Sequence, residues 1–268
     1  MRRRKDGRVI RTGVTSAALI LCLCAISFAE GFERRNLVDL TYDLDDSTIA
    51  WPTNRPFHRD QTAWGVTARG YWYASADFFT SEHAGTHIDA PIHFAKDQPS
   101  VDRIPIDRLI APAVVVDVRD AVARDVDYRL SVEDLRAWEA RHGPMPAGAI
   151  VVMRSGWGRH WSDRFAYLGS TTPEDTATLH FPGFSREAAE FLIKERAIVG
   201  IGVDTASIDH GPSPDFIVHQ VINGAGLYGV ENIAHLDQVP EAGATLIALP
   251  VKIKGGTGGP VRLIAILP

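Results

Sequence analysis

The sequence predicts a single-domain α/β protein. Five apolar, β-branched runs read as buried strands, and two capped helical patterns fall among them. Hydrophobic residues make up 45% of the 268 residues, which is ordinary globular composition. That balance excludes disordered, collagenous and coiled-coil proteins, and the length suffices to bury a substantial core.

Residues 1–29 read as a signal peptide, leaving 30–268 as the folded domain. Six basic groups and one acidic group precede and flank an apolar run from Val14 to Ala29, with Ser27 and Ala29 as small residues at a cleavage point. The run has sixteen residues, short of the roughly 20 that span a bilayer, so an uncleaved anchor is the weaker alternative. The expectation is an exported protein, periplasmic or secreted, with no stable membrane insertion after cleavage. Both cysteines, Cys22 and Cys24, lie inside this run. The mature chain would then offer no disulfide, thiolate ligand or cysteine nucleophile, and any metal must be held by histidines and carboxylates. It would also carry 22 basic against 32 acidic groups. A body that acidic repels phosphate backbones, which argues against nucleic-acid binding.

From Leu37 to Phe94 there is no helical periodicity. Trp, Tyr and turn residues dominate, so strand and loop are expected there. Val114–Val118 is the first buried strand. Ser131 then caps a helix, with Asp134 three residues on and Leu135 and Trp138 on its apolar face; Gly143-Pro144 stops it. Ala149–Met153 is the next strand. Ser185 caps a second helix with apolar positions Ala188, Ala189, Phe191 and Leu192, followed by the strands Ile198–Val203, Thr245–Leu249 and Val261–Leu267. Alternation of strand and helix is what assigns the α/β class.

Ten histidines occur, and three of them fall within eleven residues: His83-Ala-Gly-Thr-His87-Ile-Asp89-Ala-Pro-Ile-His93. The three histidines and the aspartate all sit at odd positions, so an extended segment would project them from one face. A straight strand would spread them over about 33 Å, too far to share an ion. Gly85 and Pro91 supply places to bend, and they also disfavour a helical His83–His87 pair. A bent strand gathering two imidazoles and a carboxylate makes an open facial site suited to Zn²⁺, Mn²⁺ or Fe²⁺. A lone histidine is usually a surface or satisfied core residue, but several costly polar groups aimed at one face need a charge to satisfy them.

The segment Ser81–Phe94, with H-x-G-T-H-x-D-x-P-x-H at its heart, resembles the signature of the metal-dependent cyclase-like hydrolases, which include bacterial kynurenine formamidase and isatin hydrolase. The resemblance extends from about Asn36 to Pro268. It includes Trp51-Pro52, His180-Phe-Pro-Gly183, Ile201-Gly-Val-Asp-Thr205, His219 with Glu231, and Gly255-Gly-Thr-Gly-Gly-Pro260. It implies that His83, His87 and Asp89 hold a first metal, and that Asp89 bridges to a second held also by His219 and Glu231. His93 matches the proton carrier and Trp51 an aromatic of the substrate pocket. Because Glu231 is present, the kynurenine-formamidase-like pattern is the closer expectation. The implied fold is a swivelling β/β/α architecture, in a homodimer or higher oligomer.

The implied reaction is hydrolysis of a small amide C–N bond, in an N-formyl arylamine or a cyclic amide, by hydroxide activated at two divalent ions, Zn or Mn. Such ions lower the pKa of water toward about 7 and polarise a carbonyl. His93, too far along the segment to be an obvious ligand, would carry the proton to the leaving nitrogen. With no Gly-x-Ser-x-Gly elbow and no mature cysteine, a covalent mechanism has no nucleophile. A lactone or ester hydrolase on the same site is the alternative, and an exported metal- or ligand-binding protein a second, against which the spare base His93 speaks. His210 and His180 are weaker candidates for the site, with loop and packing roles preferred. His58, His142, His160 and His235 read as surface residues. Gly255–Gly259 lacks the Lys-Ser/Thr ending of a phosphate loop, so a turn or close backbone contact is expected. Trp64, Trp72 and Tyr73 fit a pocket, a core or an oligomer interface equally well.

Overall fold

Every apolar run expected to be a strand forms one, although Thr245–Leu249 is only half-buried, and the strands close on themselves. The computed structural model describes residues 36–268; the signal-peptide reading and both cysteines lie outside the described residues. The strands are β1 (Leu37–Asp39), β2 (His58–Val66), β3 (Trp72–Phe79), β4 (His87–Asp89), β5 (Ile110–Asp117), β6 (Arg129–Leu130), β7 (Ile150–Arg154), β8 (Gly183–Phe184), β9 (Gly200–Val203), β10 (Tyr228–Glu231), β11 (Thr245–Pro250) and β12 (Gly258–Ile266). The helices are α1 (Arg119–Val122), α2 (Val132–His142), α3 (Arg164–Leu168), α4 (Arg186–Arg196) and α5 (Ile217–Gly224). Among the described residues no helix is long and apolar enough to cross a membrane.

The parallel neighbours β5, β7, β9 and β10 form the middle of the sheet. Antiparallel β11 and β12 extend it on one side and β4 on the other. Gly258–Pro260 of β12 then pairs with β4, which closes a seven-stranded barrel and leaves β1 against the outside of β12. The fold is mixed α/β, as expected, but the closure joins residue 87 to residue 260 and leaves no local trace in the sequence.

Strand side chains alternate, so the central strands feed two cores. Val114, Val116, Val151 and Met153 face outward, against Leu135 and Trp138 of α2 and Leu192 of α4. Ala113, Val115, Ile150 and Val152 face inward, with Ile88, Val230 and Leu263. Both helices start as their caps dictate. Ser131 and Asp134 form a reciprocal capping box, and the Ser185 hydroxyl accepts the Ala188 N–H at 3.0 Å. Gly143, at φ 86°, ends α2.

The signature segment is not one bent strand. Only His87–Asp89 is extended, Gly85 before it sits in the left-handed region at φ 62°, and Pro91–His93 after it is a turn of 3₁₀ helix with proline at its start. A side chain at Gly85 would be strained by that φ and would place its Cβ 2.9 Å from Leu44. Ile88 points into the barrel, so His87 and Asp89 point out of it together.

Candidate active site

Asp89 lies at the centre of a buried group of imidazoles and carboxylates. Its Oδ1 is 2.5 Å from His83 Nδ1 and 3.3 Å from His87 Nε2, and its Oδ2 is 3.2 Å from His219 Nε2. Glu231, at the end of β10, is 3.5 Å from His87 Nε2 and 3.2 Å from His219 Nε2. Its Oε1 also accepts the Ile208 N–H at 2.8 Å. All five candidate ligands therefore converge.

His83 and His87 both face Asp89 Oδ1, while His219 stands between Asp89 Oδ2 and Glu231 Oε1. Ligand atoms within 4.8 Å of one another fall into His87–Asp89–Glu231 and His83–Asp89–His93. Asp89 is common to both groups. His87 stands with Glu231, and His93 stands within reach of the His83 group.

Each of the three imidazoles has its far nitrogen engaged by the protein. His219 Nδ1 is 2.7 Å from Asp209 Oδ2, His87 Nδ1 is 2.9 Å from the Gly85 carbonyl, and His83 Nε2 is 2.9 Å from Thr257 Oγ1. The near nitrogens are thereby aimed at the carboxylates, the arrangement typical of metal-ligating histidines. His87 Nε2 is buried with no hydrogen-bond partner, a costly state unless a further group fills the centre. The electrostatics agree. Burial alone would lower the His87 pKa, but Asp89 and Glu231 outweigh it and raise it to about 9. Burial and the charge of Asp89 both raise Glu231. Two buried carboxylates facing each other across imidazoles call for positive charge, and mixed N and O donors suit a borderline divalent cation. The residues fit the metal.

His93 differs from these three. Among the described residues neither of its ring nitrogens has a hydrogen-bond partner in the protein. Its ring stacks on His83 at 4.0 Å. Burial, seconded by the neighbouring imidazoles, lowers its pKa to about 4, so at neutral pH it is an uncharged base.

The cluster opens into a cavity of about 250 Å³ that includes Trp51, Asn54, Phe94, Ser207 and Phe216 in its wall. Trp51 lines this cavity beside the clustered histidines. Phe216 meets it edge-on at 5.5 Å and Phe94 at 5.5 Å on the other side. Phe216 holds a left-handed backbone, φ 52°, at the start of α5. That is a sparsely allowed region for a bulky residue, of the kind that clusters at functional sites. Phe216 offers no cap to α5. Asp209 supplies it from a distance, accepting the Val218 N–H at 2.9 Å and the His219 N–H at 3.1 Å, so one carboxylate starts the helix and orients its histidine.

Sequence reasoning assigned no role to Asp209 or Phe216, and none to Phe94 or Thr257 although both lie within motifs it singled out. The neighbouring candidate His210 faces a different surface pocket beside Asp125 and Asp127. His180 pairs with Asp127 at 2.7 Å, away from the cluster. His58, His142 and His160 pair with Asp60, Glu241 and Arg159 respectively, outside the site.

The closed barrel carries three imidazoles and two carboxylates beside an aromatic-walled cavity, a donor set suited to a divalent metal. The chain belongs to the Cyclase family, whose model matches residues 38–210. It is 38% identical over 195 residues to an isatin hydrolase from Roseibium aggregatum, covering 70% of this chain and 72% of that protein. It is 33% identical over 193 residues to a kynurenine formamidase from Paracidovorax citrulli, covering 70% and 77%. A crystal structure of an isatin hydrolase bound to the product analogue thioisatinate superposes with a TM-score of 0.79 at 34% identity, covering 87% of this chain and 92% of that one. The protein is a hydrolase of carbon–nitrogen amide bonds. The presence of Glu231 does not place it nearer the formamidases, since its identity to the isatin hydrolase is the higher of the two.

Proposed function

We propose that the protein opens a small, uncharged aryl lactam of the isatin type, with two divalent ions, Zn or Mn, held by His83, His87, Asp89, His219 and Glu231. The observation that carries this reading is the cavity. At about 250 Å³ it lies below the roughly 300 Å³ where drug-sized pockets begin. Three aromatic side chains wall it, and no Lys or Arg is among its described lining residues. N-formylkynurenine has a free α-carboxylate, and no Lys or Arg side chain among the described lining residues would pair with it. A flat lactam needs only the aromatic walls and a few neutral polar groups.

When bound, the ions supply Lewis acidity and a water of lowered pKa. The chain supplies the rest. Trp51, Phe94 and Phe216 exclude water and hold the ring. His93, neutral and unengaged, takes a proton at a ring nitrogen and delivers it to the departing nitrogen, which would otherwise leave as a very basic anion. Purified protein supplied with Mn²⁺ or Zn²⁺ should hydrolyse isatin faster than N-formyl arylamines or lactones. Preference for N-formylkynurenine would overturn the lactam assignment.

The donor set predicts up to two ions per chain. Glu231→Ala should lower the bound metal and strongly depress activity, because loss of even an outer partner costs about 10–100-fold in affinity. Elemental analysis checks this. A ceiling of one ion in active protein, unchanged in Glu231→Ala, refutes the two-ion arrangement.

We also propose a homo-oligomer, built on the β2–β3 hairpin. This hairpin forms its own two-stranded sheet, and a lone hairpin is marginal in water. Trp64, Val66 and Trp72 are exposed on one face of it and Tyr73 on the other, and clustered exposed apolar side chains mark an interaction surface. Among the described residues these side chains belong to neither hydrophobic core, which supports the interface reading. Light scattering should show at least a dimer, converted toward monomer in Trp64→Ser/Trp72→Ser; a monomeric native protein contradicts it.

A further inference from the structure

The glycine-rich run Gly255–Gly259 has no place in the chemistry described so far, yet it passes directly over His83. Thr257 Oγ1 lies 2.9 Å from His83 Nε2, and the same hydroxyl donates to Glu82 Oε2 at 2.6 Å. The Thr257 backbone N–H donates to that carboxylate oxygen too, at 2.8 Å. Glu82 therefore holds Thr257 by two bonds.

A threonine hydroxyl has one hydrogen. Here it is committed to Glu82, so toward His83 the oxygen can only accept. Nε2 must then carry the hydrogen, and Nδ1 is the atom left with its lone pair facing Asp89. We infer that Glu82 and Thr257 form a positioning relay that holds His83 in its Nε2–H tautomer and so makes Nδ1 its metal-facing atom. His87 and His219 are fixed the other way round, through Nδ1, and face the centre with Nε2. His83 is the one imidazole of the three whose coordinating nitrogen is the one nearer its backbone.

The backbone around Thr257 is shaped for this contact. A Cβ at Gly258 would stand 2.6 Å from His83 Cε1 and 2.4 Å from the Ile88 carbonyl oxygen, so only glycine lets β12 run this close to the ring. The Thr257 carbonyl accepts the Ala90 N–H at 2.8 Å, which pins the loop to the end of β4. His93 stacks on the His83 ring so oriented, with centroids 4.0 Å apart. The relay thus sets the plane against which His93 rests.

The inference rests on the proposed metal site, and one titration separates the two. Zn²⁺ is titrated calorimetrically into metal-free wild-type protein and into Thr257→Val, Thr257→Ser and Glu82→Gln. Thr257→Val keeps the shape and removes the hydroxyl, and should bind Zn²⁺ about 10–100-fold more weakly, as other outer-shell losses do. Thr257→Ser should restore binding. Glu82→Gln should weaken it, because an amide can donate to the hydroxyl and free its hydrogen to point at His83. In the zinc-loaded wild type, ¹⁵N spectra of labelled histidine should show His83 protonated at Nε2 and metal-bound at Nδ1. Equal Zn²⁺ affinity in wild type and Thr257→Val, with both folded by circular dichroism, overturns the relay alone. A wild type that binds no Zn²⁺ overturns the metal site and the relay with it.

Discussion

Asp89→Asn should arrive without metal and without activity. Asp89 is the carboxylate common to both groups of ligand atoms, and it contacts His83, His87 and His219 at 2.5, 3.3 and 3.2 Å. Losing one partner outside the coordination sphere costs about 10–100-fold in metal affinity. Loss of a shared ligand should exceed that at both positions. Asparagine keeps the size of the side chain and the Ile88 face of β4 is untouched, so the barrel should survive. Elemental analysis after dialysis, paired with circular dichroism, reads the two separately. A folded Asp89→Asn protein that retains both ions would show that the cluster does not hold metal through this residue.

His93→Ala should separate chemistry from metal binding. General acid–base groups contribute about 10²–10⁴-fold, roughly 3–5 kcal/mol of barrier. We expect a kcat loss of that size with metal content unchanged, because His93 alone among the clustered imidazoles has neither ring nitrogen held by an acceptor. His83→Ala, by contrast, should lose metal and activity together. The His93→Ala deficit should shrink for activated esters, whose leaving groups depart without a proton. Since His93 also lies within 4.8 Å of the His83 and Asp89 ligand atoms, a metal-depleted His93→Ala protein would make it a ligand instead. Full amide hydrolysis by that variant would make it a bystander.

The amino-acid sequence by itself determined the α/β class, because burial on a pleated strand or a helical stripe writes a period of two or of 3.6 into consecutive residues. The capping box and stop of α2 and the N-cap of α4 were legible for the same reason: Ser131 with Asp134, Gly143 and Ser185 each act within one turn. The clustering of His83, His87, Asp89 and His93 was also legible. Three histidines and an aspartate crowded into eleven residues between apolar neighbours are costly without a common charge. What only the tertiary structure decided is whatever depends on residues distant along the chain. Barrel closure pairs His87 with Pro260. The cap of α5 comes from Asp209 rather than from Phe216, and the orientation of His83 from Glu82 and Thr257, 175 residues apart. The way the ligands divide around Asp89 is likewise three-dimensional, since His219 and Glu231 reach it from a helix and a strand more than a hundred residues away. A side chain's type records its own burial and charge, but its partner's position is set by how the barrel closes, and no local period carries that information.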